Sequence, residues 1–425
     1  MLIKNFDPLN KTPERKICLD IAEAALESIQ PQNIIQKNIS LNESILTIQD
    51  RTSDLKHFDR VFLLSFGKGS AGLSKEIEKI LGNLLTKGYA IDLEPEQFTK
   101  IDFTQGTHPL PSEININFTK KAIQQFNNLT IKDIIIVVIA GGGSVLFENP
   151  YRVNLEKLIE INKSLLFSGA TITEMNVARK HLSTVKGGGL AKLLSPSKVI
   201  SIIASDVPGN DLSVIASGPT VKDETTKEQA LEILKKYNLV EKLNLSEEDF
   251  LETPKDDMYF VNTLNILLLS NQTALSAMKE KAKELGLTAE IFSDKFQGEA
   301  KLAGKELIER TSSGKILLAG GETTVKVLNK RGQGGRNQEV VLAALPYLDS
   351  NTTIASFDSD GWDNSSFAGA IGDLETVKKA EGLNFDPKEY LKNNNTLSFF
   401  EKTGDGIITG RLPSNVSDLM IVFKK

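Results

Sequence analysis

Residues 134–144 read IIIVVIAGGGS, an unbroken apolar run that ends in three glycines and a serine. Apolar residues without alternation suit a strand covered on both faces, as in a parallel sheet packed between helices. This is the most hydrophobic run of the chain and therefore the expected central strand. Its glycines then lie at the carboxyl end, where open α/β sheets bind ligands. Similar runs occur on both sides: VFLLSF (61–66), KVISIIAS (198–205), LNILLLS (264–270), KILLAG (315–320) and TTIASF (352–357). Each is followed by a turn and a helix-like segment, which predicts an α/β architecture with two sheet layers.

A chain of 425 residues is too long for one ordinary core and fits two domains. From Lys222 to Asp257 charge density rises and glycine thins out. That stretch reads as helices joining the domains, with Pro254 near the join. The expected domains are 1–255, Rossmann-like, and 256–425.

Composition removes several function classes. Fifty basic and 55 acidic residues are interspersed, the net charge is −5 and aromatics make up 6%, so the basic stripes of a nucleic-acid binder are missing. The single cysteine, Cys18, sits in an amphipathic stretch with Ile17, Ile21, Ala24, Ala25 and Ile29. It excludes an internal disulfide framework and reads as a small core residue, in keeping with a reducing cytoplasm. The start MLIKNFDPLN lacks the apolar core of a signal peptide, and the longest apolar run is too short to cross a bilayer. A soluble cytoplasmic protein without a membrane partner is expected.

Five glycine-rich turns carry the chemistry: FGKGSAG around Lys68, AGGGS ending at Ser144, VKGGG with Lys186, AGGET around Glu322 and GQGGRNQE around Arg336. Glycine lets backbone amides approach a ligand closely, and helix-starting amides favour anions. Together with Lys, Arg, Ser and carboxylates, the five read as a site for a polyphosphate and the metal it carries. Gly67–Gly72 matches G-x-G-x-x-G after a strand and before a helix, with Asp92 some twenty residues on, which is the dinucleotide fingerprint. Lys68 inside that loop is unusual for a nicotinamide site and useful for a triphosphate. Alternatively, Gly67 and Gly69 only permit tight strand–helix packing and Lys68 is solvated.

Gly142 and Gly143 precede Ser144, which either caps the following turn or donates to a phosphate; as a nucleophile it lacks the G-x-S-x-G elbow. A basic helix then brings Arg179, Lys180, His181 and Lys186 close together, either as a solvated face or with Arg179 and Lys186 binding substrate or nucleotide, and Asp206 follows the next strand. A carboxylate there can bind metal or accept a hydroxyl proton, as phosphoryl transfer requires. Glu322 and Thr323 follow another strand. Arg336 stands in the first turn of a helix, where its charge opposes the dipole, and is expected to meet an anion. Asp358, Asp360 and Asp363 are spaced like an oxygen-ligand magnesium site or an ordinary Asp-rich turn. No Cys/His cluster suits zinc, and His108 and His181 read as structural.

In order along the chain, FGKGSAG, THPLP (107–111), AGGGSVL, NVARKHLSTVKGGGLA, SDVPGNDLSVIASGPT, GGETTVKV, GQGGRNQE, SDGWDNSSFAGA and GDGIITGRLPSNVSDL resemble the glycerate 2-kinases that contain a MOFRL domain, sometimes called hydroxypyruvate reductases. The resemblance covers nearly the whole chain. It implies two different α/β domains with the active site in the cleft between them, and transfer of the γ-phosphoryl group of ATP to the 2-hydroxyl of D-glycerate with Mg2+. It further implies phosphate or carboxylate contacts for Lys68 and Arg336. Asp206, Glu322 and Asp360 would lie near metal or nucleophile, with Thr323 and Asn337 among the binding residues. A homodimer is compatible with it. Asn210 and Ser366 stand where Asp is common, and RLPSNVSD replaces a proline-threonine-glycine-threonine-asparagine form, so no role is assigned to 210 or 366. The alternative, a nicotinamide-dependent hydroxypyruvate reductase, explains one turn and lacks an evident acid–base histidine. The residue that deprotonates the hydroxyl, Asp206 or Asp360, stays open.

Overall fold

A computed structural model describes all 425 residues. By its internal contacts the chain forms two compact units. One comprises Ile34–Ser205 and Asn210–Leu268, the other Met1–Asn33, Asp206–Gly209 and Leu269–Lys425.

The first unit opens with a small antiparallel sheet of β1 (Ile39–Asn42), β2 (Ile45–Ile48) and β3 (Arg51–Asp54). Its main sheet contains β4 (Arg60–Phe66), β5 (Lys87–Asp92), β6 (Ile101–Gln105), β7 (Asp133–Ile139), β8 (Lys198–Ala204) and β9 (Thr263–Leu269), in the order β6-β5-β4-β7-β8-β9. The four pairings from β6 to β8 are parallel. Every residue of β7 is buried, as a central strand between helix layers must be. Numbered within the sheet, the order is 3-2-1-4-5-6, the doubly wound dinucleotide-fold arrangement, and it reverses between β4 and β7.

In the second unit β10 (Thr288–Glu299), β11 (Lys315–Thr324), β12 (Thr352–Asp358), β13 (Gly369–Gly372), β14 (Gly406–Ile407) and β15 (Asp418–Lys424) form a sheet ordered β10-β11-β15-β12-β13-β14. This sheet is mixed. The C-terminal strand β15 runs antiparallel to both β11 and β12 and lies between them. Their apolar runs resemble parallel strands because burial on both faces, not strand direction, sets that pattern.

The chain's division differs from a single cut near residue 255. The segment Lys222–Asp257 is no linker: Ala230, Leu234, Leu239 and Phe250 from it pack with Leu158, Ile161, Leu165 and Met175 in one apolar cluster of the first unit. The N-terminal helix Pro13–Ser28 instead packs on the helix Asn271–Glu284 and on β12 and β15. Arg15 anchors it, fully buried, with Nε and Nη2 on Asp373 at 2.7 and 2.8 Å and Nη1 on Asp405 at 2.7 Å. A buried guanidinium requires carboxylates at this range, and here they lie hundreds of residues away. Cys18 is buried in the same helix, as its neighbours indicated. No helix is long and apolar enough to cross a membrane.

Candidate active site

The two foremost glycine turns meet where the first sheet reverses. The amide of Ala140 donates to the Phe66 carbonyl at 3.0 Å, and that of Lys68 to the Gly141 carbonyl at 2.8 Å. Gly67 has φ +116°, and a Cβ there would lie 2.4 Å from the Ala140 carbonyl oxygen, so only glycine lets the turns touch. A Cβ on Gly142 (φ +73°) would lie 3.3 Å from both the His108 ring and Cγ of Lys68. Lys68, His108 and Gly142 thus share one corner. Burial, and then the Lys68 charge, push the His108 imidazole down to about 4, so it is neutral at pH 7.

Asp92 does something the dinucleotide fingerprint does not anticipate. It is buried, its Oδ2 accepts from the Ala71 amide at 2.9 Å and its Oδ1 from the Leu93 amide at 2.6 Å. It therefore occupies the N-terminus of the helix Ser70–Leu81, where a pyrophosphate would otherwise sit. Burial pushes its carboxyl up to about 6 against the pull of those amides.

Around the next turns the residues partner one another. Oγ of Ser144 lies 2.8 Å from Oγ of Ser217, which in turn donates to Oδ1 of Asn176 at 3.3 Å. Ala216 and Ser217 hold positive φ of 50° and 61°, a strained backbone for side-chain-bearing residues. The amides of Gly187 and Gly188 donate to the carbonyls of Ser217 and Gly218 at 2.9 and 2.8 Å, which ties VKGGG to that turn. Lys186 itself is buried in an ion pair with Glu148. This reading differs from a ligand contact: the ammonium already has its counter-ion, and burial lowers its pKa against the pull of that carboxylate. Arg179 donates from Nε to Oδ1 of Asn162 at 2.7 Å, and burial lowers its pKa too. His181 is buried, with Nδ1 2.8 Å from the Leu251 carbonyl and Nε2 3.2 Å from Oγ1 of Thr225, a structural histidine as expected. Asp206 is half-buried just past β8.

The second unit gathers charge at one sheet edge. Because β15 is antiparallel, its first residue, Asp418, pairs with Gly321 near the end of β11 and with Asp358 at the end of β12. Arg336 opens the helix Arg336–Ala344 above that edge. Its Nε donates to Asp418 at 2.7 Å, Nη1 to Glu322 at 2.8 Å and Nη2 to Asp358 at 3.0 Å. The anion that Arg336 was expected to meet is, in the structure, the protein's own. Burial works against the guanidinium charge, but Asp418 and Asp358 outweigh it and raise its pKa. Burial, reinforced by Asp360 and Asp418, holds Asp358 well above the usual carboxylate range. Three carboxylates around one arginine, with Asp360 close to one of them, crowd negative charge at this edge, and Asp358 carries its cost.

Asn337 is buried, donating from Nδ2 to Asp418 at 2.7 Å and accepting from Ser356 at 2.5 Å. Its role is to hold Asp418. Thr323 is buried with an unpartnered hydroxyl. Asp360 accepts from the Trp362 amide at 2.8 Å and Asp363 turns away to cap the helix, accepting from the amides of Asn337 and Gln338 at 3.1 and 2.9 Å. That is the N-cap geometry Gly335 cannot supply, so Asp363 is structural and the Asp358-Asp360-Asp363 series is not one ligand set. No group of three His, Cys, Asp or Glu is placed to hold a metal ion.

Sequence reasoning assigned no role to Asp418, Glu148, Ser217 or Asn176. Asp418 carried one signal, an acid at the head of the terminal apolar run, but its place beside Arg336 depends on β15 being antiparallel.

Residues 17–252 match the family described as a domain of unknown function (DUF4147), and residues 315–418 match the MOFRL family. The chain is 35% identical to a glycerate 2-kinase of Pyrococcus horikoshii, over 96% of each chain. It is 34% identical to a D-glycerate 2-kinase of Thermotoga maritima, over 98% of this chain and 99% of the relative. A crystal structure of a glycerate kinase from Thermotoga maritima superimposes with a TM-score of 0.84 at 32% identity, covering 96% and 99% of the two chains. Relatives from Agrobacterium vitis carry the name putative hydroxypyruvate reductase. Matched along nearly its whole length in sequence and in fold, the chain belongs to the glycerate 2-kinase family with a C-terminal MOFRL domain.

Proposed function

We propose that the protein is an ATP-dependent glycerate 2-kinase that transfers the γ-phosphoryl group of ATP to the 2-hydroxyl of D-glycerate with magnesium, and that it acts in the cytoplasm. The observation that carries the reading is the environment of Arg336. Two of its three carboxylates are fixed in the interior, with side-chain exposures of 0% for Asp418 and 9% for Asp358, whereas Glu322 is 47% exposed. The two buried bonds orient the guanidinium. The third, to Glu322, is the one a phosphoryl or carboxylate oxygen can replace.

Phosphoryl transfer needs positioning and charge neutralisation more than covalent chemistry. Arg336 offers a planar fork suited to two oxygens. Lys68, half-buried on a glycine turn at the sheet's reversal point, offers a mobile ammonium to a phosphate. Asp206 or Asp360 orients the hydroxyl and takes its proton. The donor set suits magnesium: all oxygen, with an excess of negative charge, and too few preplaced ligands to hold the ion alone. Glu322, Asp360 and Asp206 are the residues assigned to it, and the ion would neutralise charge on the phosphates. Against the reductase alternative stands Asp92, whose carboxylate is committed to the amides of Ala71 and Leu93 and not to a ribose.

Incubation of the purified protein with D-glycerate and Mg-ATP, and separately with NADH and hydroxypyruvate, tests the reading. Phosphate on the 2-position, seen by phosphorus NMR and abolished by EDTA, is expected. NADH oxidation without phosphate transfer would overturn it, and 3-phosphoglycerate as product would correct its regiochemistry.

A further inference from the structure

A cavity of about 300 Å3 lies within the second unit between the loop after β11 and the first turn of the helix Arg336–Ala344. Val325, Val327, Gly334, Glu339, Asn364 and Asn394 are among its walls, and Arg336 is not. Glu339 is 1% exposed, its Oε1 has no hydrogen-bond partner, and Oε2 receives only a 3.5 Å contact from Nδ2 of Asn394. Buried polar atoms in native proteins are nearly always paired, so an orphan in a cavity wall calls for a ligand. Burial pushes this carboxyl up to about 7, against the pull of Lys301, so it can both donate and accept near neutral pH.

The loop over the cavity is preformed. Oδ1 of Asn394 accepts from the amides of Leu328 and Asn329 at 2.7 and 3.1 Å, and its Nδ2 donates to the Lys326 carbonyl at 3.2 Å. That loop presents Val327 and Leu328 at 61% and 59% exposure, apolar surface with nothing packed on it. A cationic ligand would meet Lys330 in the wall and the field of Lys301. A neutral, flat ring bearing an amine would not. Glu339 and Arg336 are three apart on one helix, so their Cβ atoms lie about 5–6 Å apart on the same face.

We propose that this cavity takes the purine base of the nucleotide, with the exocyclic amine donating to Oε1 of Glu339 and the ring lying against Val325 and Val327. The inference rests on the kinase reading of Arg336 and adds the base to it.

Adenosine and inosine, which replaces that amine by a carbonyl, are the probes, used with the full-length protein at about pH 9, where the Glu339 carboxyl is ionised and only accepts. Adenosine should slow hydrogen exchange in residues 325–335 and compete with ATP, and inosine should bind at least tenfold more weakly. Glu339→Leu should raise the KM for ATP tenfold or more and leave the KM for glycerate within twofold. Val327→Arg, on the exposed loop, should weaken adenosine binding similarly even if the buried variant misfolds. Unchanged exchange at 325–335 with adenosine, or equal binding of inosine, overturns the proposal while kinase activity persists. Adenosine protection without any phosphoryl transfer would instead overturn the kinase reading and keep the base site.

Discussion

The two units build charged sheet edges by different routes. In the first, every paired strand from β6 to β8 is parallel, so only residues just after a strand reach the carboxyl edge, and Lys68 and Gly142 arrive from the turns after β4 and β7. In the second, antiparallel β15 delivers the start of a strand to the edge where β11 and β12 end, and Asp418 joins Glu322 and Asp358 around Arg336. A parallel edge can be read from strand–turn order along the chain. A mixed edge cannot, because the decisive residue stands at the head of its strand.

The comparison also separates two fates of a helix N-terminus. Asp92 fills that of Ser70–Leu81 and Asp363 that of Arg336–Ala344, the first from a neighbouring strand and the second from a turn 26 residues on. Both were candidates for ligand binding by spacing alone. Both instead satisfy backbone amides that a glycine cap leaves open.

The largest effect is expected at the mixed edge. Arg336→Ala should reduce phosphoryl transfer by roughly a thousandfold or more. It should also cost on the order of 3–5 kcal/mol of stability, because Asp418 would be left buried without its counter-ion. Arg336→Lys should retain more stability yet still lose turnover heavily, since one ammonium cannot reproduce the planar fork that holds Asp418 and Asp358 while meeting a substrate oxygen. Thermal melting beside steady-state kinetics checks both; a stable, active alanine variant would remove Arg336 from the site.

At the parallel edge Lys68→Ala should fold normally, because the half-exposed side chain fills no core position. Turnover should fall about ten- to a thousandfold, the scale of a few kcal/mol of transition-state stabilisation. Activity within twofold of the parent would leave the glycine turn a packing device alone. Asp360→Asn should have a smaller effect, raising the magnesium concentration for half-maximal rate about three- to tenfold by removing one anionic ligand. An unchanged magnesium titration would confine Asp360 to its turn.

Asp92 sharpens the contrast without touching turnover. Its carboxyl titrates at about 6 in the fold, above the roughly 3.9 of an unfolded chain. The folded state therefore binds the extra proton between those values, and stability should fall as pH rises from about 4 to 6. Asp92→Asn should flatten that segment of the stability profile in urea melts, with activity retained at pH 7.5. A large loss of activity would mean that Asp92 serves a ligand after all.

Much of this was legible in the chain itself. The unalternating apolar run at 134–140 marks a central strand because burial on both faces leaves no place for polar residues, and the glycines after it mark a turn that no Cβ could occupy. Lys68 and Asp360 follow from the same strand-then-turn order, whereas Glu322 lies inside β11 and Arg336 opens a helix. Tertiary structure alone decided which carboxylates surround Arg336, which acids cap helices, that Lys186 is spent on Glu148, and that residues 1–33 belong with the C-terminal unit through Arg15, Asp373 and Asp405. Period and composition report how deeply a segment is buried. They carry no information about strand direction or about partners 358 or 390 positions away, and those long-range pairings determine which charges end up neutralised and which remain to meet a substrate.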